Sequence, residues 1–210
     1  MMEVEKIVAR YLLEIGAVKL NPENPFTWAS GWKSPIYCDN RRILSYPEMR
    51  TKIAEFLTQS VQENFGSAET VAGVATGAIA LGTLVADKMQ KPFVYVRPKP
   101  KDHGMGAQVE GVVAEGSRVV VVEDLISTGK SSLSAVDALS KQGVQVTGMV
   151  AIFSYNFDHA RKSFEDANVE LHTLTNYDTL IEEAVACNYI KESELELLRQ
   201  WRYAPDKWGR

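Results

Sequence analysis

Four consecutive valines, from Val119 to Val122, restrict the fold of this chain more than any other feature. A continuous β-branched run of this kind is typical of a strand buried on both faces of a parallel sheet. Further strand candidates lie at Val71–Val74, Phe93–Val96 and Val144–Phe153, with helical patterns between them at Ala78–Met89 and Ser131–Gln142. Strands that alternate with helices over roughly 85 residues predict an α/β fold with a doubly wound, mostly parallel sheet.

Helical periodicity predicts four more helices, over Val4–Ile15, Met49–Val61, Thr179–Cys187 and Glu192–Trp201. We expect capping boxes to begin two of them, formed by Ser45 with Glu48 and by Ser193 with Glu196. The segment 21–47 contains four prolines, so it favours short strands and loops over a long helix.

Composition excludes several classes of protein. The 210 residues suit one domain, and 45% hydrophobic with 24% charged residues is ordinary for a globular chain with a real core. A net charge of -4 does not favour nucleic acid or an anionic membrane surface as a partner. The two cysteines, Cys38 and Cys187, fit neither a disulfide framework nor zinc-ligand spacing. The acidic amino terminus does not resemble a secretory signal, so we expect a cytoplasmic protein.

The valine strand leads into the segment that carries most chemical information. Glu123 and Asp124 follow it, where the carboxyl edge of an open α/β sheet binds ligands. Backbone amides of the hydroxyl- and glycine-rich stretch Ser127–Ser131 can bind a phosphate at the start of a helix. Carboxylates accept hydrogen bonds from sugar hydroxyls, so a sugar phosphate is the ligand indicated. A Walker loop does not fit, because Asp124 stands where its first glycine would be. An ordinary strand–turn–helix with an exposed acidic loop remains the alternative.

This segment resembles the phosphoribosyl-pyrophosphate (PRPP) signature of the type I phosphoribosyltransferases. The resemblance implies that Glu123 and Asp124 contact the ribose hydroxyls, that Asp124 is also catalytic, and that the loop binds the 5′-phosphate. The PRPP-binding residues implied in this segment are Glu123, Asp124, Leu125, Ile126, Ser127, Thr128, Gly129, Lys130 and Ser131.

A basic loop from Arg97 to Gly106 contains three cations and a histidine among prolines and glycines. Taken alone it is also compatible with a solvated surface loop. Its Arg97 and Lys-Asp-His-Gly sequence resembles the mobile catalytic loop of orotate phosphoribosyltransferases. The resemblance implies that Arg97, Lys101 and His103 bind PRPP, act in catalysis by neutralising pyrophosphate, and reach the neighbouring active site of a homodimer.

Two weaker segments support the same family. The aromatic stretch from Phe26 to Asp39 is similar to the family's amino-terminal hood, which implies that Tyr37 and Cys38 hold the pyrimidine and that Ser127 also touches it. Ala75, Thr76 and Gly77 correspond by resemblance to a pyrophosphate loop, with close helix–strand packing as the alternative. Ala29 replaces a lysine of many members, and Phe153–Asn156 lacks an arginine of some members. We therefore expect backbone amides or Lys33 to hold the orotate carboxylate.

The resemblance implies a single type I phosphoribosyltransferase domain, with a central mostly parallel sheet flanked by helices and a small hood. Residues 1–45 and parts of the carboxyl-terminal helices would form the hood, and residues 68–155 the PRPP-binding core. The implied reaction joins the ribose 5-phosphate of PRPP to orotate, giving orotidine 5′-monophosphate and pyrophosphate in pyrimidine (UMP) biosynthesis. Mg²⁺ is the implied cofactor, held mainly by PRPP and water without direct protein ligands. The alternatives are a transferase for a purine or uracil and a PRPP-sensing regulator without catalysis.

Overall fold

The computed structural model describes residues 2–28, 31–99 and 108–208. The α-helices are α1 (Met2–Glu14), α2 (Pro47–Phe65), α3 (Ile79–Met89), α4 (Lys130–Ser140), α5 (Asp158–Asp166), α6 (Tyr177–Ala186) and α7 (Glu192–Tyr203). The strands are β1 (Val18–Leu20), β2 (Phe26–Thr27), β3 (Lys33–Ser34), β4 (Ile36–Cys38), β5 (Thr70–Val74), β6 (Phe93–Val96), β7 (Val109–Glu110), β8 (Arg118–Ile126), β9 (Gln145–Ser154) and β10 (Leu171–Asn176). A 3-10 helix covers Asn40–Ser45.

The central sheet has six strands in the order β10-β9-β8-β5-β6-β7. All neighbouring pairs are parallel except β6 with β7. The four valines of β8 are fully buried, as a strand in the middle of a sheet covered on both faces requires. α2 packs against β9 and β10, α3 against β5 and β6, and α4 against β8 and β9. The predicted α/β fold with a mostly parallel sheet is therefore confirmed.

Two expected helix starts are wrong. Ser45 belongs to the 3-10 helix, and α2 begins after Tyr46 with Pro47 in its first turn and without a side-chain cap. Proline is favourable at this position because an N–H in the first turn has no partner within the helix, so its absence costs nothing. At α7 the reciprocal bonds join Lys191 and Glu194. The Glu194 side chain accepts from the Lys191 N–H at 2.7 Å, and the Glu194 N–H donates to the Lys191 carbonyl at 3.0 Å. The Ser193 and Glu196 pair lies inside the helix.

Short strands and aromatic packing join the amino-terminal segment to the carboxyl-terminal helices. β1 pairs with β4 and β2 with β3, both antiparallel. The buried Trp201 of α7 donates its indole N–H to the Lys33 carbonyl at 3.2 Å. Its ring lies 5.6 Å from Trp28 and 5.8 Å from Tyr155. These contacts fix the segment that leads to β4 and the 3-10 helix, which borders the cleft described below. In the described ranges, no helix has the length and apolar character needed to cross a membrane.

Candidate active site

A cleft of about 440 Å³ lies where the carboxyl ends of β5 and β8 meet the segment after β4. The lining residues are Cys38, Asp39, Asn40, Arg41, Val74, Ala75, Thr76, Gly77, Pro98, Glu123, Asp124, Leu125, Ser127, Thr128, Gly129 and Ser131. A larger cavity of about 810 Å³ lies beside α5 and includes Ile126 of the residues predicted from sequence. The smaller cleft is the candidate site, because three segments predicted separately from sequence meet in it.

The two acids sit inside β8 in different environments. Glu123 is buried, and its carboxylate accepts hydrogen bonds from the Asp124 N–H at 3.0 Å and the Ser132 hydroxyl at 2.9 Å. Burial, followed by the negative charge of Asp124, raises the pKa of the Glu123 carboxyl well above its usual value. Asp124 is partly exposed to the cleft. The pair therefore combines a buried positioning carboxyl with an accessible one.

Ala75, Thr76 and Gly77 lie opposite Asp124 in the loop after β5. The peptide bond between Ala75 and Thr76 is cis. A Cβ atom built on Gly77 would overlap the Asp124 carboxylate, so this loop can approach the acid only because the residue is glycine. By contrast, Gly82 faces Phe93 and the backbone of Gly73, which is close helix–strand packing. Gly82 therefore serves close packing, whereas Gly77 allows the loop to approach Asp124.

The loop after β8 ends at the amino terminus of α4. Gly129 caps this helix with φ of 78°, and a side chain there would also meet the Phe164 ring at 2.9 Å. The first amides of a helix have no partner within it and carry partial positive charge. Ser127, Thr128 and Ser131 line the cleft beside these amides, whereas the buried Ile126 faces the larger cavity. The geometry provides an anion-binding terminus next to Asp124.

Arg97 lies at the stem of the predicted basic loop. Its N–H donates to the Gln108 carbonyl at 2.9 Å, and the Gln108 side chain donates to the Arg97 carbonyl at 2.9 Å. Its guanidinium lies 3.6 Å from Glu110. Arg97 and Lys130 line a second cavity of about 440 Å³ that shares Thr128 and Ser131 with the candidate site. The predicted catalytic residues Lys101 and His103 lie outside the described residues.

On the opposite side, β4 brings Cys38 to the cleft, while the Tyr37 ring lies 5.9 Å from Phe26. The Cys38 thiol donates to the Asn40 side-chain oxygen at 3.3 Å, and the Asn40 amide donates to the Asp124 carbonyl at 2.6 Å. Burial, with the negative charges of Asp124 and Asp39, raises the pKa of the Cys38 thiol well above its usual value. The thiol is therefore protonated at neutral pH, and Asn40 ties β4 directly to the acidic strand.

Sequence reasoning missed Asp39, Asn40 and Arg41, all of which line the cleft. They directly follow the aromatic segment, so their position next to Tyr37 and Cys38 was the available signal. Lys33, the side chain expected to hold a carboxylate, instead donates to the Thr27 hydroxyl at 2.9 Å and does not line the cleft. Ala29 lies outside the described residues.

The described ranges contain no group of three or more His, Cys, Asp or Glu side chains suited to an ion. Asp124 and Glu123 still give the cleft hard oxygen ligands of the kind that Mg²⁺ prefers.

Comparison with known proteins gives concordant matches. The model of the phosphoribosyl transferase domain family matches residues 39–186. An orotate phosphoribosyltransferase from Porphyromonas gingivalis is 54% identical over 209 residues, covering 100% of both chains. The crystal structure of orotate phosphoribosyltransferase from Aeropyrum pernix is 30% identical, with a TM-score of 0.75, and covers 84% of this chain and 97% of that one. UMP synthase from Leishmania donovani shares the fold, with a TM-score of 0.79 at 24% identity over 94% of this chain and 42% of that one.

Proposed function

Because the chain belongs to the orotate phosphoribosyltransferases, we propose that it transfers the ribose 5-phosphate of PRPP to N1 of orotate in the cleft beside Asp124. The bond from C1 of the ribose to pyrophosphate breaks, and the bond from C1 to N1 forms. The observation that carries this proposal is that a helix amino terminus, an acidic pair and a glycine loop line one cleft with the segment after β4.

PRPP lies along the carboxyl edge of β5 and β8 in this proposal. The loop from Ser127 to Ser131 and the amides that begin α4 bind the 5′-phosphate, since an anion is stabilised at a helix amino terminus. Asp124 accepts hydrogen bonds from the ribose hydroxyls, and Glu123 holds the Asp124 backbone in place. The predicted PRPP segment also includes Leu125, which lines the cleft, and Lys130, which lines the second cavity beside it. Ile126, which faces the larger cavity, would contribute through its backbone.

Pyrophosphate departs toward the loop formed by Ala75, Thr76 and Gly77. Mg²⁺ bound to PRPP would supply positive charge that neutralises the leaving pyrophosphate, and the Asp124 carboxylate that faces the cleft would be a protein oxygen within the site. Arg97, at the stem of the basic loop, lines the second cavity beside the cleft and adds a guanidinium there. Neutralising the leaving group stabilises a transition state in which negative charge develops on pyrophosphate.

We expect Lys101→Ala to lower kcat at least tenfold, about 1.4 kcal/mol of barrier, with the fold intact. The ammonium group would act on charge that develops only as the C1–O bond breaks. The measurement is steady-state turnover, with Lys141→Ala as control, since exposed Lys141 pairs with Asp137 of α4 and does not line the cleft. A normal rate for Lys101→Ala would remove this residue from the mechanism.

The enzyme acts as a homodimer in which the basic loop of one subunit completes the site of the other. Mixing impaired Lys101→Ala with impaired Asp124→Ala subunits then raises activity above that of either variant alone, since one hybrid site carries both intact residues. Subunit exchange is verified separately with tagged chains. Hybrids that exchange without regaining activity would contradict sharing of the loop.

We also predict a hood formed by residues 1–45 and parts of the carboxyl-terminal helices, and a PRPP-binding core over residues 68–155. A cytoplasmic location is a further prediction.

The pyrimidine lies against Tyr37 and Cys38, with Ser127 on its other side. The test of the reaction class is pyrophosphate release from PRPP and Mg²⁺ with orotate, uracil, hypoxanthine or adenine as parallel acceptors. Release with orotate alone supports the proposal. Release with only a purine or only uracil would show that this base, and not orotate, is the acceptor. PRPP binding without release for any base would favour the sensing regulator.

A further inference from the structure

The charges that line the described cleft are unfavourable for an anionic pyrimidine. Asp39 and Asp124 both line it, and Asp124 is accessible from the cleft. The orotate of the proposed function carries a carboxylate in addition to its ring. A carboxylate close to these side chains requires a compensating cation, since like charges a few ångströms apart repel strongly at the low effective dielectric of a cleft.

Arg41 is the one lysine or arginine among the described residues that line this cleft. It follows Cys38 by three residues and lies in the first turn of the 3-10 helix Asn40–Ser45. Its Nε donates to the Asp39 carboxylate at 2.6 Å, and the backbone N–H of Arg41 donates to the same oxygen at 3.3 Å. Asp39 therefore fixes the guanidinium of Arg41 and the start of the helix together.

The guanidinium keeps donors for a second carboxylate. Its hydrogen bond to Asp39 uses Nε, and the described residues provide no hydrogen-bond acceptor for its two terminal nitrogens. Its side chain is 61% exposed, so a small ligand can reach these nitrogens. Arginine presents its five N–H groups in a planar fork that matches a carboxylate, and it can bridge two carboxylates at once.

We propose that Arg41 is the side chain that binds the carboxylate of orotate, with Asp39 holding its guanidinium in position. This inference rests on the proposed function and assigns the specificity of that same site. Arg41 is a binding residue here, and Asp39 is a positioning residue. The arrangement distinguishes orotate from an uncharged pyrimidine, because only orotate carries an anion for the two terminal nitrogens, which have no acceptor among the described residues.

Other candidates for this role are worse placed. Lys33 donates to Thr27 on the neighbouring strand and does not line the cleft. At the end of β9, Tyr155 is buried, and its ring is stacked on Phe157 at 5.4 Å. Burial raises the pKa of the Tyr155 hydroxyl well above its usual value, so the group is neutral and gives no charge to a substrate.

The test compares Arg41→Gln and Arg41→Lys with the wild-type enzyme in steady-state assays with orotate and PRPP. We expect Arg41→Gln to raise KM for orotate about tenfold or more, because a hydrogen bond between charged groups is lost. KM for PRPP should stay within about twofold of the wild-type value, and Arg41→Lys should recover part of the loss, since a point charge replaces the fork. Arg199→Gln, an exposed arginine on α7, controls for the loss of one positive charge.

A neutral ligand separates carboxylate binding from a general effect on the cleft. The inhibition constant of the 6-carboxamide analogue of orotate should be the same for Arg41→Gln and wild type. An equal loss of affinity for the amide and for orotate would overturn the assignment, as would an unchanged KM for orotate in Arg41→Gln. A raised KM in Lys33→Gln alone would assign the carboxylate to Lys33. Failure of the wild-type enzyme to use orotate would instead overturn the proposed function, and this inference with it.

Discussion

At the scale of single residues, Asp124 is the point where the two sides of the cleft meet. Its carbonyl accepts from Asn40, which lies after β4, while its carboxylate lies over Gly77 in the loop after β5. The neighbouring Glu123 turns inward and accepts from the Asp124 N–H and from Ser132. A change that moves the Asp124 carboxylate should therefore lower activity more than it lowers the free energy of unfolding.

Gly77→Ala tests this close approach. The added methyl group would overlap the Asp124 carboxylate and displace it, so we expect kcat/KM to fall at least tenfold, about 1.4 kcal/mol. Gly116→Ala is the matched control, since φ is 78° there and no neighbouring atom lies within 4 Å. That variant should lose about 1–2 kcal/mol of stability through backbone strain and keep its activity. Equal activity of the two variants would contradict the role of Gly77.

The raised pKa of Glu123 makes a prediction about stability and pH. At a pH between its unfolded and folded pKa values, the folded protein binds a proton at Glu123 that the unfolded chain has released. The free energy of unfolding therefore falls as pH rises through this window. Glu123→Gln removes the titrating group, so its melting temperature relative to wild type should increase from pH 5 toward pH 8. A difference that is constant with pH would show that Glu123 does not titrate in this way.

The sequence predicted the acids and the phosphate loop because they are contiguous with a strand of unmistakable pattern. Residues 127–129 and 131 line the cleft, as the pattern predicts. Asn40 and Arg41 could not be assigned in this way, because their position depends on how the segment after β4 packs against β8. Nothing within the local sequence from Asp39 to Arg42 shows that Asn40 reaches the Asp124 carbonyl.

At the scale of elements, the predictable parts were the buried ones. β6 was predicted with its observed limits, and α3 differs by one residue from the periodic pattern. β8 continues to Ile126, beyond the expected four valines, because residues 123–126 still pair with β9. α5 and β10 were not predicted. β10 has polar residues at His172, Thr173 and Thr175, and it pairs with β9 at the edge of the sheet, where an apolar run is not required.

Packing between α2 and β9 gives a test at this scale. A methyl group on Gly148 of β9 would overlap the ring of Phe65 at the end of α2 and lie 3.0 Å from the Glu170 carbonyl. Gly148→Ala should therefore lower the free energy of unfolding by about 1–3 kcal/mol, measured by urea denaturation. In a double-mutant cycle, Phe65→Leu should lessen this cost by making room. Strictly additive effects would show that the ring and the strand do not compete for the space.

At the scale of the whole molecule, the predicted α/β architecture and the family are confirmed, and the match over the full chain makes the enzyme an orotate phosphoribosyltransferase. The architecture was predictable because a buried parallel sheet leaves continuous apolar runs in the sequence. Contacts between subunits leave no such periodic pattern. The hybrid experiment is therefore the test of the proposed sharing of the basic loop.

The measurement that most directly tests the central claim is the stoichiometry of the reaction in a mixture of the enzyme, Mg²⁺, PRPP and orotate. PRPP consumed, pyrophosphate released and orotidine 5′-monophosphate formed are quantified together, with a second mixture lacking orotate. We expect equal amounts of all three, with PRPP left intact in the mixture without orotate. PRPP that is bound and recovered unchanged with orotate present, or pyrophosphate released without nucleotide, would contradict transfer in this cleft.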